Sequence, residues 1–234
     1  MISETGFSTD ISKLVPLVES IDWTENNRVQ LNDPTGDWLY DPYEIKPEWK
    51  NTEFARLLNE IPYPVGEARL IRLAPGESYR AHADIDDRLH INILSNEHCF
   101  LIDLKAATMY RTPSSGALYY MNAGKVHTAS NFGHTDRVQL VIRHRLERSH
   151  KPEFKRVSVE LTNPPYNARY LVDNSVSPLL NRYCKEGRIG YFDKNSEVLF
   201  TLYTDDSVIE DITNLLCETG LSYSIHIDET TYER

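Results

Sequence analysis

His82-Ala83-Asp84 sets an imidazole and a carboxylate two residues apart. Alternate side chains of an extended segment share a face, so this pair can converge on one point. His127 lies far away in sequence and can bring a third ligand from another strand. Two histidines and one carboxylate are the set that holds Fe(II) on one side and leaves positions open for co-substrates. The chemistry implied is catalytic rather than structural, and His82, Asp84 and His127 are its candidate metal ligands and catalytic residues. His-x-Asp alone also occurs in exposed turns, so its weight depends on its surroundings.

Those surroundings read as strands. Arg72 to Glu77 is a strand end followed by a Pro-Gly turn, which delivers Tyr79-Arg80-Ala81-His82 as the start of the next strand. In Arg88 to Leu94, Leu89, Ile91 and Ile93 alternate with Arg88, His90 and Asn92, giving one apolar and one polar face. In an ordinary half-exposed strand the polar face would lie in water. Gly116 to Tyr120 leads to Val126-His127-Thr128-Ala129-Ser130-Asn131, and a five-residue turn leads on to the alternating run Arg137 to Arg143. If Asn131 pairs with Arg137 across that turn, His127 pairs with Val141 and shares a face with Arg137.

The run from about Ala68 to Arg143 resembles the aspartyl/asparaginyl β-hydroxylase family of Fe(II)- and 2-oxoglutarate-dependent oxygenases. The matching residues are His82-x-Asp84, Arg88-x-His90, Gly116 before an aromatic strand, His127 with Asn131, and Arg137 ten residues after the histidine. The resemblance implies a double-stranded β-helix (jelly-roll) core with Fe(II) on His82, Asp84 and His127. It also implies that Arg137 holds the distal carboxylate of 2-oxoglutarate, assisted by His90, with Arg88 on the same strand. O₂ would be the oxidant, with succinate and CO₂ as co-products. Some members of that family lack the carboxylate ligand; Asp84 follows the pattern of its small-molecule hydroxylases. A free amino acid or a derivative is therefore the first substrate class, and an Asp or Asn side chain in a peptide the second. Arg80, Asn92, Arg111 and Arg145 are polar candidates for a substrate carboxylate, each arginine having a surface salt bridge as its alternative.

The chain has 234 residues, 40% of them hydrophobic, enough for a substantial core in one large or two modest domains. A net charge of −10 argues against nucleic acid as a partner. Three scattered cysteines argue against a disulfide framework and for a reducing compartment. No basic leader and no long apolar run is present, so the expectation is a cytoplasmic protein without a membrane partner.

Thr9 to Ser20 has helical spacing, and Asn51 to Glu60 is a second short helix. Between them, Trp23 to Trp49 has little periodicity and carries Trp38, Tyr40 and Tyr43, which either rim a site or pack on the sheet. Ser149-His150-Lys151-Pro152 reads as a linker. Beyond it the pattern is strand, helix (Asn167 to Glu186), hairpin, helix (Asp205 to Thr219) and strand, a βαββαβ order of ferredoxin-like type. The fold expected is mainly β with flanking helices, with residues 1–149 the oxygenase domain and residues 150–234 a small α+β domain. The α+β order fixes no function; subunit contact in a homo-oligomer, substrate capping and ligand sensing are its candidate roles. His226-Ile227-Asp228 repeats the His-x-Asp pattern without a partner histidine and reads as the solvent face of a strand. Rival classes are a cupin-like isomerase or dioxygenase, a zinc hydrolase on the same three residues, and a non-catalytic binding module for a metal or small ligand.

Overall fold

A computed structural model describes residues 1–148, 151, 153–194 and 199–228. Of the expected linker, Ser149, His150 and Pro152 lie outside the described residues. Backbone proximity divides the chain into two compact units, Met1–Ala81 with Asp86–Arg145 and His82–Ile85 with Leu146–Arg234. No helix among the described residues is long and apolar enough to cross a membrane.

The first unit is mainly β. Its strands are β1 (Ile2–Ser8), β2 (Arg28–Gln30), β3 (Asn32–Pro34), β4 (Tyr43–Ile45), β5 (Val65–Leu73), β6 (Arg88–Leu94), β7 (Cys99–Asp103), β8 (Thr108–Tyr110), β9 (Ala117–Met121), β10 (His127–Asn131) and β11 (Arg137–His144). Among the described residues one antiparallel sheet runs β1-β9-β6-β11-β5-β2 and a second runs β10-β7-β8, with β3 and β4 paired separately. The aromatic loop Trp23–Trp49 thus contains three short strands that its composition does not announce.

Strand alternation sorts the larger sheet into two faces. Leu70, Leu89, Ile91, Leu118, Val138 and Leu140 pack with Leu14, Val18, Phe54 and Leu57 in one core. Val18 belongs to the short helix α1 (Val15–Glu19), whose N-cap is Leu14, and Phe54 and Leu57 belong to α2 (Glu53–Glu60). Burying one such aliphatic side chain contributes about 1.5–3 kcal/mol, so this layer dominates the unit's stability. The expected helix over Thr9 to Ser20 is split into a 3-10 turn at Ile11–Lys13 and α1. Pro16, in the first turn of α1, has no N–H to donate backward, which stops one continuous helix from running through both pieces. On the other face Leu73 meets Leu101 and Ala129 of the smaller sheet, so the two sheets enclose a second, smaller core. Arg88, His90 and Asn92 point to this second face and are all buried; the polar side of β6 is interior rather than in water.

The expected hairpin between residues 131 and 137 does not form. β10 pairs with β7, setting His127 opposite Asp103, while β11 pairs with β5 and β6, setting Arg137 opposite Leu73 and Val141 opposite His90. The reason is Asn131, which is fully buried. Its Nδ2 donates to Leu73 O at 2.9 Å and Thr135 O at 2.8 Å, and its Oδ1 accepts from Gly133 N at 3.0 Å. These bonds use the carboxamide to turn the chain, so β11 leaves in the other sheet.

In the second unit, β12 (Lys155–Leu161), β13 (Ile189–Lys194), β14 (Leu199–Thr204) and β15 (Tyr223–Asp228) form an antiparallel sheet of order β13-β14-β12-β15. Its helices are α3 (Ala168–Leu171), α4 (Ser177–Lys185) and α5 (Asp206–Thr219). Asp205 caps α5 by accepting from Val208 N at 3.1 Å, and Gly220 ends it in the left-handed conformation at φ 69°. The helix expected over Asn167 to Glu186 is interrupted by a π turn at Val172–Val176.

Candidate functional site

His82, Asp84 and His127 come together: one ligand atom from each lies within 4.8 Å of the others, a group able to hold a metal ion. His82 Nε2 and Asp84 Oδ2 are 3.8 Å apart. The regular strand expected for this pair is not present. Ser78 makes an isolated bridge to Ser130, and β6 begins only at Arg88, so His82 and Asp84 are carried by an irregular segment. The approach to it is tied to β10. Tyr79 N donates to Ala129 O at 2.8 Å, Thr128 Oγ1 donates to Tyr79 O at 2.6 Å, and Ser78 Oγ donates to Ser130 Oγ at 2.8 Å.

His127 begins β10 and is buried. Its Nδ1 sits 2.8 Å from Lys125 O, a carbonyl that can only accept, so the neutral ring carries its proton on Nδ1. Nε2 is then the lone-pair nitrogen. A backbone carbonyl that fixes the tautomer in this way is the usual outer support of a metal-binding histidine.

Arg137 and His90 belong to the neighbouring strands β11 and β6. Arg137 is 1% exposed. Its Nε donates to Asn92 Oδ1 at 3.3 Å, while Nη1 and Nη2 are buried without a hydrogen-bond partner. Burial pushes the guanidinium pKa down, opposed by the nearby Tyr79 and Cys99. An arginine with both terminal nitrogens unsatisfied in the interior is costly unless an anion completes it. Asn92 is itself held, its Nδ2 donating to the Thr112 carbonyl and hydroxyl.

Gln139 Nε2 lies 2.6 Å from His90 Nδ1. An amide NH₂ only donates, so Nδ1 accepts and the His90 proton is on Nε2, a buried nitrogen without a partner. Burial, then the electrostatic influence of Arg137, His127 and Arg88, pushes the His90 pKa down to about 3. Arg137 and His127 thus both bear on His90, although the two lie in different sheets. Tyr79 shares the Arg137 environment: burial raises its phenol pKa and the Arg137 charge works against that rise.

The other sequence candidates are distributed differently. Arg88 is committed to its neighbours: its Nη1 donates to the Asp86 carboxylate and to Asp86 O at 3.0 Å. Arg143 Nε donates to the other Asp86 oxygen at 2.5 Å, and its guanidinium stacks over Trp38 at 3.9 Å. Burial would raise the Asp86 carboxyl, but Arg88 and Arg143 outweigh it and hold it down at about 2. Arg145 Nη1 donates to Tyr40 O at 2.9 Å, in the aromatic loop. Arg111 is exposed over the Phe100 ring at 5.6 Å, and Arg80 is exposed. His226 is exposed on β15, and Asp228, two residues on, pairs with Arg156 at 2.6 Å.

Tyr79 and Gln139 are the site residues that sequence reasoning missed. Gln139 was accessible through parity, since it stands two residues from Arg137 on the same face of β11. Tyr79 had no comparable signal, because the segment after Ser78 leaves regular strand geometry.

The chain matches no protein-family model and no curated protein. Among solved structures it is similar to the crystal structure of CapF with the inhibitor 3-isopropenyl-tropolone, at 12% identity and a TM-score of 0.31. That match covers 50% of this chain and 31% of the CapF chain, so it spans about a third of that protein.

Proposed function

We propose that the chain is an Fe(II)- and 2-oxoglutarate-dependent oxygenase that hydroxylates an unactivated C–H bond, with a free amino acid or its derivative as substrate. The observation that carries this reading is Arg137: a fully buried guanidinium with both terminal nitrogens unpartnered. Arg137 bears electrostatically on His90, and so does His127, a member of the metal-competent group. The facing sheets of the first unit are read as a jelly roll, and the β13-β14-β12-β15 order of the second as ferredoxin-like.

The donor set fits the group. Two imidazoles and a carboxylate suit Fe(II), and His127 presents Nε2 because Lys125 O holds Nδ1–H. With 2-oxoglutarate and O₂, the iron supplies oxidative decarboxylation to succinate and CO₂ coupled to C–H hydroxylation. The chain's own residues do the rest. The planar fork of Arg137 matches a carboxylate with two parallel hydrogen bonds and neutralises a charge that is otherwise buried alone. His90 stays neutral and offers Nε2–H as a further donor, with Gln139 fixing its ring. Asn92 holds Arg137 through Nε, leaving its outer edge for the ligand. Burial of these groups excludes water and strengthens each contact.

The test is succinate release under air with Fe(II) and 2-oxoglutarate, run across free amino acids and then short Asp- or Asn-containing peptides. Metal-dependent succinate stimulated by one amino acid is the expected result. Activity lost in His127→Ala together with metal binding assigns the ligand set; stoichiometric iron and unchanged turnover in that variant would overturn it.

A further inference from the structure

Asn181 lies on α4 and is 3% exposed. Its Nδ2 donates to the backbone carbonyl of Ile85 at 3.0 Å and, more weakly, to that of Asp84 at 3.4 Å. Donor and acceptors belong to the same compact unit, the one that joins His82–Ile85 to the C-terminal part of the chain. The contact is long-range in sequence and carried by a side chain.

The carbonyls matter because of where they are. Residues 83–85 belong to no regular strand, so no ladder fixes the peptide planes after Asp84 and Ile85. The direction of a side chain follows the backbone dihedrals of its own residue, and one of those at Asp84 is set by the plane of its carbonyl. A buried amide bonded to this carbonyl and the next one therefore restricts the Asp84 carboxylate. The helix is built to deliver the amide. The π turn at Val172–Val176 immediately precedes α4. Such a turn inserts one extra residue, which rotates everything after it by about 100° around the helix axis, and π turns of this kind concentrate at functional sites. Without that rotation Asn181 would leave its present face.

We propose that Asn181 is a positioning residue for Asp84, so that part of the metal affinity of the His82–Asp84–His127 group is set from α4. The proposal rests on the metal reading above and extends it to a residue with no ligand role. Asn181 touches neither metal nor substrate; it acts through the Asp84 backbone.

Two full-length variants test it. Asn181→Leu keeps the volume and removes the donor, and Asn181→Asp keeps the shape while replacing the donor with an acceptor. Co(II) serves as the spectroscopic stand-in for Fe(II), with Asp84→Ala as the reference for a site lacking its carboxylate. Both variants should bind Co(II) about 10- to 100-fold more weakly, the usual effect of losing an outer support. Their absorption bands should shift toward those of Asp84→Ala, which a general loss of stability would not produce. Hydrogen exchange of amides 83–87 should quicken in the same variants while the amides of β6 and β11 stay protected. If Asn181→Leu does not fold, Asn181→Asp and its exchange pattern decide the matter. A folded variant with wild-type Co(II) affinity and spectrum would overturn the positioning role and leave the metal reading standing. A wild-type chain that takes up no Co(II) or Fe(II) would instead overturn the metal reading, and the role of Asn181 with it.

Discussion

Gln139 Nε2 donates to His90 Nδ1 at 2.6 Å across the β6–β11 pair, and this bond assigns the imidazole proton to Nε2. With a pKa down near 3, set first by burial, His90 remains neutral throughout the physiological range. Nitrogen-detected NMR of the imidazole should show no titration between pH 5 and 8; a midpoint near 6–7 would contradict the assignment. The folded pKa lies below the ordinary value of 6.5, so the unfolded chain binds more protons in the window between them. Stability from this group is complete above 6.5 and declines as the pH falls toward 3. Gln139→Leu should weaken 2-oxoglutarate binding about three- to tenfold, the effect of one supporting hydrogen bond worth about 0.5–1.5 kcal/mol.

Asp86 carries a buried charge cluster, accepting from Arg88 and Arg143. Removing one member of such a cluster leaves buried charge uncompensated, so Asp86→Ala should lose about 3–5 kcal/mol in urea unfolding. A loss below about 1 kcal/mol would show that the two arginines rehydrate freely. The carboxyl is held down at about 2, so its contribution is present above its ordinary 3.8 and disappears as the pH falls through that window to 2. Acid unfolding of wild type should therefore steepen there, and the steepening should be absent in Asp86→Ala.

Gly116 adopts φ 81°, and a Cβ built on it would lie 1.9 Å from Thr9 O. The close approach exists because Thr9 N donates to Gly116 O at 3.0 Å, fastening the end of β1 beside β9. Gly116→Ala combines a left-handed backbone, about 1–2 kcal/mol, with overpacking of about 1–3 kcal/mol. The expected loss is about 2–5 kcal/mol in equilibrium unfolding; a neutral substitution would mean that β1 is not held there.

Where alternation is strict, the sequence discloses the face: Leu89, Ile91 and Ile93 against Arg88, His90 and Asn92 separate in the fold as their periodicity indicates. What periodicity does not disclose is that the polar face is interior. That depends on β7, β8 and β10 lying opposite, a long-range pairing with no local signature. The grouping of His82, Asp84 and His127 was legible from ligand chemistry, yet the strand assumed for the first two is an irregular segment. The hairpin assumed between β10 and β11 failed for a related reason. Asn131 looks like a turn residue in sequence, and only the fold reveals that its carboxamide binds Leu73 O and sends the chain into the other sheet. Asn181 was invisible altogether, since nothing in a helical pattern marks a residue whose partners are nearly a hundred positions away.

The proposed function depends most on Arg137. Titration of 2-oxoglutarate into metal-loaded wild type and Arg137→Ala, without O₂, tests it directly. Loss of the guanidinium partner of a buried carboxylate costs about 3–5 kcal/mol, so affinity should fall by roughly two to three orders of magnitude. Metal affinity should stay nearly constant, and Arg137→Lys should lie between the two because it keeps the charge without the fork. Equal 2-oxoglutarate affinity in wild type and Arg137→Ala would contradict the proposed function at its centre.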